Sequence, residues 1–205
     1  LMAVGGENPE LSGVEVDNRR VGEGTLFAAM PGTAVHGANF VDKALAQGAV
    51  AVLTDAAGAQ LAGDAIRATG AALVISEQPR EALARASALW FGAQPQTMIA
   101  VTGTNGKTSV STFVRQIWIE MDLPAVNLGT TGVEGAWAAP LAHTTPEPIT
   151  LHRTLAQAVG AGITHAAMEA SSHGLDQRRL DGVTLKAAGF TNFTQDHLDY
   201  HETFE

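Results

Sequence analysis

One glycine-rich segment carries the residue types that a polyphosphate site requires. It reads Thr102-Gly103-Thr104-Asn105-Gly106-Lys107-Thr108-Ser109. Small residues allow backbone N–H groups to close around phosphate oxygens, and the N-terminus of a following helix adds positive partial charge. In such a loop the Lys107 ammonium would reach the β- and γ-phosphates, and the Thr108 hydroxyl would ligate Mg²⁺. The segment therefore predicts a phosphate-binding loop.

The match to the general pattern GxxxxGK[ST] is incomplete, because Val101 stands where that pattern has its first glycine. A glycine-rich turn with an incidental lysine is the alternative interpretation. The chain has only three lysines, Lys43, Lys107 and Lys186, and one of them lies where a phosphate loop needs it. We favour the phosphate loop because a strand is predicted before the segment and a helix after it.

The segment HTTPEP at 143–148 places two hydroxyls beside a rigid proline. Thr144 and Thr145 could donate hydrogen bonds to an anionic or sugar substrate. Residues of these types are also common at the start of a helix, and a helix is predicted over 149–159. The residues alone leave both interpretations open.

A second polar cluster, MEASSHGLDQRR at 168–179, begins where a predicted strand ends. Carboxylates at the ends of parallel strands face the ligand crevice, so Glu169 could take Mg²⁺ directly or through water. Ser171, Gln177 and Arg179 offer polar contacts to an anionic substrate. The alternative is a strand-end carboxylate followed by solvated basic residues.

A third cluster, TNFTQDHLDYH at 191–201, also follows a predicted strand. Asn192 could contact a nucleotide. His197 lies beside Asp196 and could contact a metal or the nucleotide, whereas a lone histidine is more often structural. We favour a functional role because the pair follows the end of a strand.

Short apolar strands alternate with helical patterns, and these elements must position the clusters. The alternation predicts a parallel α/β fold, with a three-layer sheet in the second half. The linker at 94–96 contains a proline and predicts domains over 1–94 and 95–205. Strands are predicted over 14–17, 26–30, 49–53, 72–75, 97–102, 125–128, 165–169 and 187–193, and helices over 40–47, 79–92, 107–121 and 149–159.

The composition limits the classes of partner. The net charge is −9, from 12 Lys+Arg and 21 Asp+Glu, which disfavours nucleic acid or an anionic membrane because phosphate backbones need a basic footprint. The chain has no cysteine, which excludes a disulfide framework and a thiolate metal site. With no signal peptide or membrane span in the sequence, we expect a cytoplasmic protein, and both chain ends look cut.

Taken together, the four segments resemble the Mur ligase family, and within it the UDP-N-acetylmuramoyl-tripeptide synthetase branch. The first half is similar to the family's uridine-binding domain in DNRRV at 17–21, GTLFAA at 24–29 and HGANF at 36–40. The clusters occur in the family's order. The combination of SSHGL with DHLDYH is much rarer than a phosphate loop alone.

The resemblance implies a small N-terminal α/β uridine-binding domain, followed by the family's parallel-sheet P-loop domain in truncated form. It implies an ATP-dependent amide ligase of peptidoglycan precursor synthesis. ATP would phosphorylate the free carboxylate of UDP-MurNAc-L-Ala-D-Glu. The amine of a diamino acid, meso-diaminopimelate or L-lysine, would then attack the acyl phosphate.

The resemblance also implies residue roles, with Lys107, Glu169 and His197 as catalytic residues. ATP would be held by Gly103, Thr104, Asn105, Gly106, Lys107, Thr108, Ser109 and Asn192. Mg²⁺ would be held by Thr108 and Glu169, with His197 at a second Mg²⁺ site. The muramoyl-peptide side would be held by Thr144, Thr145, Ser171, Gln177 and Arg179. The uridine would lie against Val16, Asn18, Thr33, Ala34 and Val35.

Some positions depart from the family pattern. Asn18 stands where serine is common, His36 where aspartate is common, and His143 where some members have asparagine. The family has a carbamylated lysine after DHLDYH, and no lysine follows His201 here. The family's third domain is also not represented, so we expect a fragment that is inactive alone.

Three alternatives remain at this point. One is another Mur or folylpolyglutamate-type ligase, and one is a non-catalytic nucleotide-sugar binding module. The third is a P-loop phosphotransferase or nucleotide switch. A switch protein predicts an apolar strand that ends in aspartate, whereas the strands here end in Glu169 and Asn192.

Overall fold

The computed structural model describes residues 2–4, 8–32, 34–194 and 200. The chain separates into two compact units, Leu1–Ala86 and Ser87–Glu205. The sequence predicts a domain boundary after residue 94, and that boundary stays a prediction. Within the described ranges no helix is both long and apolar enough to cross a membrane.

The first unit is built on a five-stranded sheet in the order β1-β5-β4-β3-β2. Strands β2 to β5 are parallel to their neighbours, and the edge strand β1 is antiparallel to β5. Two 3₁₀ turns, Asn18–Arg20 and Gly37–Phe40, follow β2 and β3. The strands are β1 Met2–Val4, β2 Gly13–Glu15, β3 Thr25–Ala28, β4 Ala49–Thr54 and β5 Ala72–Ile75, and the helices are α1 Val41–Ala46 and α2 Ala56–Thr69. Helix α3, Pro79–Phe91, begins in this unit and ends in the second.

The core of the first unit lies between this sheet and the helices that return along it. Phe27, Val52, Val41 and Ile66 belong to one buried cluster. Burying apolar side chains of this size contributes about 1.5–3 kcal/mol each. Helix α2 ends at Gly70, whose left-handed backbone (φ 72°) closes the last turn.

The second unit is built on a five-stranded sheet in the order β10-β6-β9-β7-β8. Strands β10, β6, β9 and β7 are parallel, and the edge strand β8 is antiparallel to β7. The strands are β6 Thr97–Thr102, β7 Ala125–Gly129, β8 Gly132–Gly135, β9 His165–Glu169 and β10 Ala187–Phe190, and the helices are α4 Lys107–Glu120, α5 Pro148–Gly160 and α6 Ser172–Asp176.

The second sheet has helices on both faces. Side chains alternate between the two faces of a strand, so Met168 of β9 packs in one cluster with Leu151 and Leu155 of α5. Glu169 points to the other face, where it meets Thr108 at the start of α4. The predicted α/β class with parallel sheets is confirmed.

Several elements differ from the sequence-based expectations. The patterns do not predict β1, β8, α2 or α6. Helix α1 begins at Val41, after a 3₁₀ turn, rather than at residue 40. The strand expected over 187–193 ends at Phe190, because the chain then turns so that Thr191 and Asn192 bond to the phosphate loop.

Candidate functional site

The glycine-rich segment connects β6 to α4, as predicted for a phosphate loop. Gly103 has φ 122° and Gly106 has φ 88°, backbone conformations that glycine adopts at little cost. A Cβ at Gly103 would lie 2.2 Å from Thr191 Oγ1 and 2.8 Å from the Asn192 carbonyl oxygen. No side chain caps the N-terminus of α4, so its first N–H groups can face an anion.

The lysine that follows this loop donates hydrogen bonds to the loop's own backbone carbonyls. Lys107 Nζ donates to the Gly103 carbonyl at 2.6 Å and to the Thr104 carbonyl at 3.0 Å. The side chain is half-buried. The ammonium therefore lies close to the N–H groups that would surround phosphate oxygens, and it can exchange carbonyl partners for phosphate oxygens.

Glu169 ends β9 beside the phosphate loop and is 1% exposed. Its Oε2 accepts from Thr108 Oγ1 at 2.9 Å and from Thr130 Oγ1 at 3.3 Å, and its Oε1 accepts from the Thr130 N–H at 3.1 Å. A Cβ at Gly129 would lie 1.8 Å from Glu169 Oε1. Across the described part of the chain no salt bridge reaches this carboxylate, so its buried charge is met only by neutral donors.

These oxygens suit a hard divalent cation. Mg²⁺ takes oxygen ligands and is usually held by one or two carboxylates together with substrate phosphates and water. The donor set of Thr108 and Glu169, one hydroxyl and one carboxylate, fits Mg²⁺ that arrives with a nucleotide. His197 lies outside the described residues.

The segment after β10 is joined to the phosphate loop by hydrogen bonds. The Asn192 side chain accepts from the Asn105 N–H at 3.1 Å and donates to the Asn105 carbonyl at 3.0 Å. Thr191 Oγ1 donates to the Asn105 carbonyl at 2.6 Å, and Thr104 Oγ1 donates to the Thr194 carbonyl at 3.0 Å. Asn192 thus lies at the loop, and the oxygen and the nitrogen of its side-chain amide both bond to the Asn105 backbone.

The hydroxyls expected on the substrate side are partly used within the protein. Thr145 is 1% exposed; its Oγ1 donates to the Glu169 carbonyl at 3.0 Å and accepts from the Ser171 N–H at 2.9 Å. Ser171 Oγ accepts from the Gly174 N–H at 3.1 Å and caps α6. Thr144 is half-buried, and its Oγ1 lies 2.9 Å from Thr130 Oγ1.

Two further residues that were expected on the substrate side form a hydrogen-bonded pair next to these hydroxyls. Arg179 donates from Nε and Nη2 to Gln177 Oε1, at 3.2 and 2.7 Å, and from Nη1 to the Thr145 carbonyl at 2.6 Å. Gln177 Nε2 donates to the Tyr200 hydroxyl at 3.0 Å. Arg178, between them, has a left-handed backbone (φ 58°), which folds the chain so that both side chains reach one place.

The residues expected near a uridine follow two adjacent parallel strands of the first unit. Val16 and Asn18 follow β2 and are half-buried. Asp17 caps the turn at Asn18 by accepting from the Arg19 N–H at 3.0 Å. Hydrogen bonds from the Arg19 side chain lower the pKa of Asp17 to about 2. The motif's ion pair therefore shapes the turn that presents Asn18.

The loop after β3 holds the other expected uridine contacts. Ala34 and Val35 are exposed, and Thr33 lies outside the described residues. His36 fixes the end of this loop, because its Nδ1 accepts from the Ala38 N–H at 3.0 Å and its Nε2 lies 3.1 Å from Asp55 Oδ1. No hydrogen bond between described residues joins this loop to Asn18.

Sequence reasoning missed the turn between β7 and β8. Gly129 leaves room for the Glu169 carboxylate, and Thr130 donates to it twice. Tyr200 was expected only as part of a motif, yet its hydroxyl accepts from Gln177 and donates to Asp176 at 2.7 Å. The run Gly-Thr-Thr-Gly at 129–132 was the available signal for the turn.

A parallel α/β sheet with a glycine-rich loop, its lysine and a buried carboxylate on the next strand is the arrangement of P-loop nucleotide-binding proteins. Two family models match the chain: "Mur ligase family, catalytic domain" over residues 10–90 and "Mur ligase middle domain" over residues 101–205. The chain belongs to the Mur ligase family.

Similar proteins agree with this assignment. UDP-N-acetylmuramoyl-L-alanyl-D-glutamate–2,6-diaminopimelate ligase of Agrobacterium fabrum is 51% identical over 197 residues, which cover 96% of this chain and 38% of that protein. A solved structure of a ligase of the same name has a TM-score of 0.78 at 30% identity and covers 94% of this chain. The chain spans about 38% of the length of both.

The fold is shared more widely in the family. A crystal structure of MurF ligase from Thermotoga maritima in complex with ADP has a TM-score of 0.59 at 18% identity. The match covers 93% of this chain and 40% of the MurF chain. At this identity the likeness concerns the fold alone.

Proposed function

We propose that the protein containing this chain is an ATP-dependent ligase that joins 2,6-diaminopimelate to UDP-MurNAc-L-Ala-D-Glu. The relatives that carry this activity in their names match almost the whole chain, and this favours diaminopimelate over L-lysine. A cytoplasmic location is part of the proposal, because the reaction consumes ATP. UDP-MurNAc-dipeptide and the diamino acid are the proposed partners.

The observation that carries the proposal is the convergence of three polar segments at the carboxyl ends of three adjacent strands, β10, β6 and β9. The phosphate loop follows β6, Glu169 ends β9, and Asn192 follows β10. Thr145, Ser171 and Arg179 are bonded to the β9 end and its neighbours. A nucleotide and an acid substrate could therefore meet at one edge of the sheet.

The proposed reaction has two steps. A carboxylate oxygen of the substrate attacks the γ-phosphorus of ATP, the bond to the β,γ-bridging oxygen breaks, and an acyl phosphate and ADP form. The amine of diaminopimelate then attacks the acyl carbon, the amide bond forms, and phosphate leaves while the amine loses a proton. The first step is needed because a free carboxylate has no adequate leaving group.

The chain's own residues would bind and orient the phosphates. Backbone N–H groups of the loop and of the α4 N-terminus would surround the β-phosphate. Lys107 would exchange its carbonyl partners for phosphate oxygens and compensate charge on the transferring group. Thr108 and Glu169 would hold Mg²⁺, which when bound supplies positive charge to the phosphate oxygens.

The test is phosphate release by the full-length protein. We expect release only when ATP, UDP-MurNAc-L-Ala-D-Glu and diaminopimelate are all present, together with a new peptide product by mass spectrometry. Omitting each substrate in turn is the control. Equal phosphate release without the muramoyl substrate would contradict the ligase proposal and favour a phosphotransferase or nucleotide switch.

A further inference from the structure

The turn between β7 and β8 contacts both oxygens of the Glu169 carboxylate. The Thr130 N–H donates to Oε1 at 3.1 Å, and Thr130 Oγ1 lies 3.3 Å from Oε2. Thr108 Oγ1 donates to the same Oε2 at 2.9 Å. Thr130 therefore contacts the carboxylate from the turn after β7, and Thr108 contacts it from the start of α4.

The carboxylate is also in close contact with the backbone at the end of β7. Gly129 comes so close to the carboxylate that a Cβ there would lie 1.8 Å from Oε1 and 2.4 Å from Cδ. Glu169 is almost completely buried. The carboxylate is thus packed against Gly129 and oriented by Thr130, so that Oε2 faces Thr108.

We propose that Thr130 is a positioning residue that orients the Glu169 carboxylate for Mg²⁺ through its hydroxyl. This inference rests on the proposed function, because it assumes the Mg²⁺ site at Thr108 and Glu169. Groups that hydrogen-bond a metal-binding carboxylate fix its direction, and losing one typically weakens metal binding about 10–100-fold. Thr130 would act only through Glu169 and would not touch the metal.

The chain offers a matched control next to this residue. Thr130 and Thr131 are adjacent and both exposed. Of these two residues, only Thr130 bonds to Glu169 among the described hydrogen bonds. Thr130→Val removes the hydroxyl and keeps the size and the backbone N–H. Thr131→Val makes the same chemical change one residue later, and Thr130→Ser restores the hydroxyl.

The experiment measures the Mg²⁺ dependence of nucleotide binding in the full-length protein, with a fluorescent ATP analogue and titrated Mg²⁺. We expect Thr130→Val to require about tenfold more Mg²⁺ for half-maximal binding. Thr130→Ser and Thr131→Val should keep the wild-type midpoint. Thr130→Ala should reproduce the shift of Thr130→Val, and thermal unfolding of each variant checks that it is folded at the temperature of the binding assay.

The inference is overturned if Thr130→Val and Thr131→Val need the same Mg²⁺ concentration. The proposed function can fail separately. If the wild type binds nucleotide with Mg²⁺ and makes no ligated product, while Thr130→Val still shifts the midpoint, the ligase proposal is wrong and the role of Thr130 stands. If the ligase reaction runs and the midpoint is unshifted, only the inference on Thr130 is wrong.

Discussion

The two units use the same kind of sheet, but they treat a carboxylate at a strand end differently. In the first unit Asp55 follows β4, and its Oδ1 lies 3.1 Å from His36 Nε2 and accepts from the Gly58 N–H at 2.7 Å. It thereby caps α2 and anchors a loop. In the second unit Glu169 ends β9, and its carboxylate meets, among the described residues, only threonine hydroxyls and a backbone N–H.

The difference shows that a carboxylate at a strand end can stabilise the fold in one unit and can belong to a candidate ligand site in the other. Asp55 has a histidine nitrogen and a backbone N–H at a helix N-terminus as partners, and a helix N-terminus favours negative charge. Glu169 is more deeply buried and has no basic side chain among its described partners. Burying a carboxylate without a compensating charge is costly, and a cation brought by a ligand can supply that charge.

The largest effect should come from replacing the Glu169 carboxylate with an amide. Glu169→Gln removes the charge that would hold Mg²⁺, and a lost metal contact of several kcal/mol corresponds to a loss in turnover of about a hundredfold or more. Asp55→Asn is the matched control, since asparagine caps a helix about as well as aspartate. Phosphate release by the full-length protein measures both, and equal losses in the two variants would contradict the comparison.

A smaller effect should follow when the glycine beside each carboxylate site gains a methyl group. A Cβ at Gly58 would lie 2.0 Å from Thr54 Oγ1 and 2.7 Å from His36 Cε1, and a Cβ at Gly129 would displace Glu169. Overpacking of this kind costs about 1–3 kcal/mol of stability. We expect denaturant unfolding to detect the loss in both variants, whereas the Mg²⁺ dependence of nucleotide binding should change only in Gly129→Ala. An unchanged Mg²⁺ midpoint there would show that Glu169 does not need this position.

The smallest effect concerns the buried histidine of the second unit. His152 is 2% exposed, and burial lowers its pKa below the usual 6.5. The unfolded chain then binds a proton more readily than the folded protein, so stability falls as the pH drops below 6.5, by at most about 1.4 kcal/mol per pH unit. The free energy of unfolding measured between pH 7 and 5.5 should show this slope in the wild type and less of it in His152→Gln. The exposed His143→Gln is the control and should keep the full slope.

Local patterns predicted the elements that position the site. Strands over 97–102, 165–169 and 72–75 have the predicted bounds, because short apolar runs bounded by turn residues are strong signals. The polar clusters at the ends of β6 and β9 were also read from the chain. The Ala- and Gly-rich helix α2 was not, because its internal glycines, Gly58 and Gly63, disfavour a helix.

Long-range hydrogen bonds could not be read in this way. Thr130 lies 39 residues before Glu169 in sequence, and no local pattern marks it as a partner. Asn192 was expected at the nucleotide, and its amide bonds to the Asn105 backbone emerge only when β10 lies beside β6. The roles of Asn192, Thr145 and the other site residues toward ligands stay predictions.

The contacts of Thr130 also set the direction of its hydrogen bond with Thr144, a residue predicted to lie on the substrate side. A carboxylate has no proton to give, and the single hydroxyl proton of Thr130 points to Glu169 Oε2. In its 2.9 Å contact with Thr144, Thr130 must therefore accept, so the Thr144 proton is used there. A substrate at Thr144 would then meet lone pairs only, a polarity that suits an amide N–H or a hydroxyl and opposes a phosphate or carboxylate oxygen.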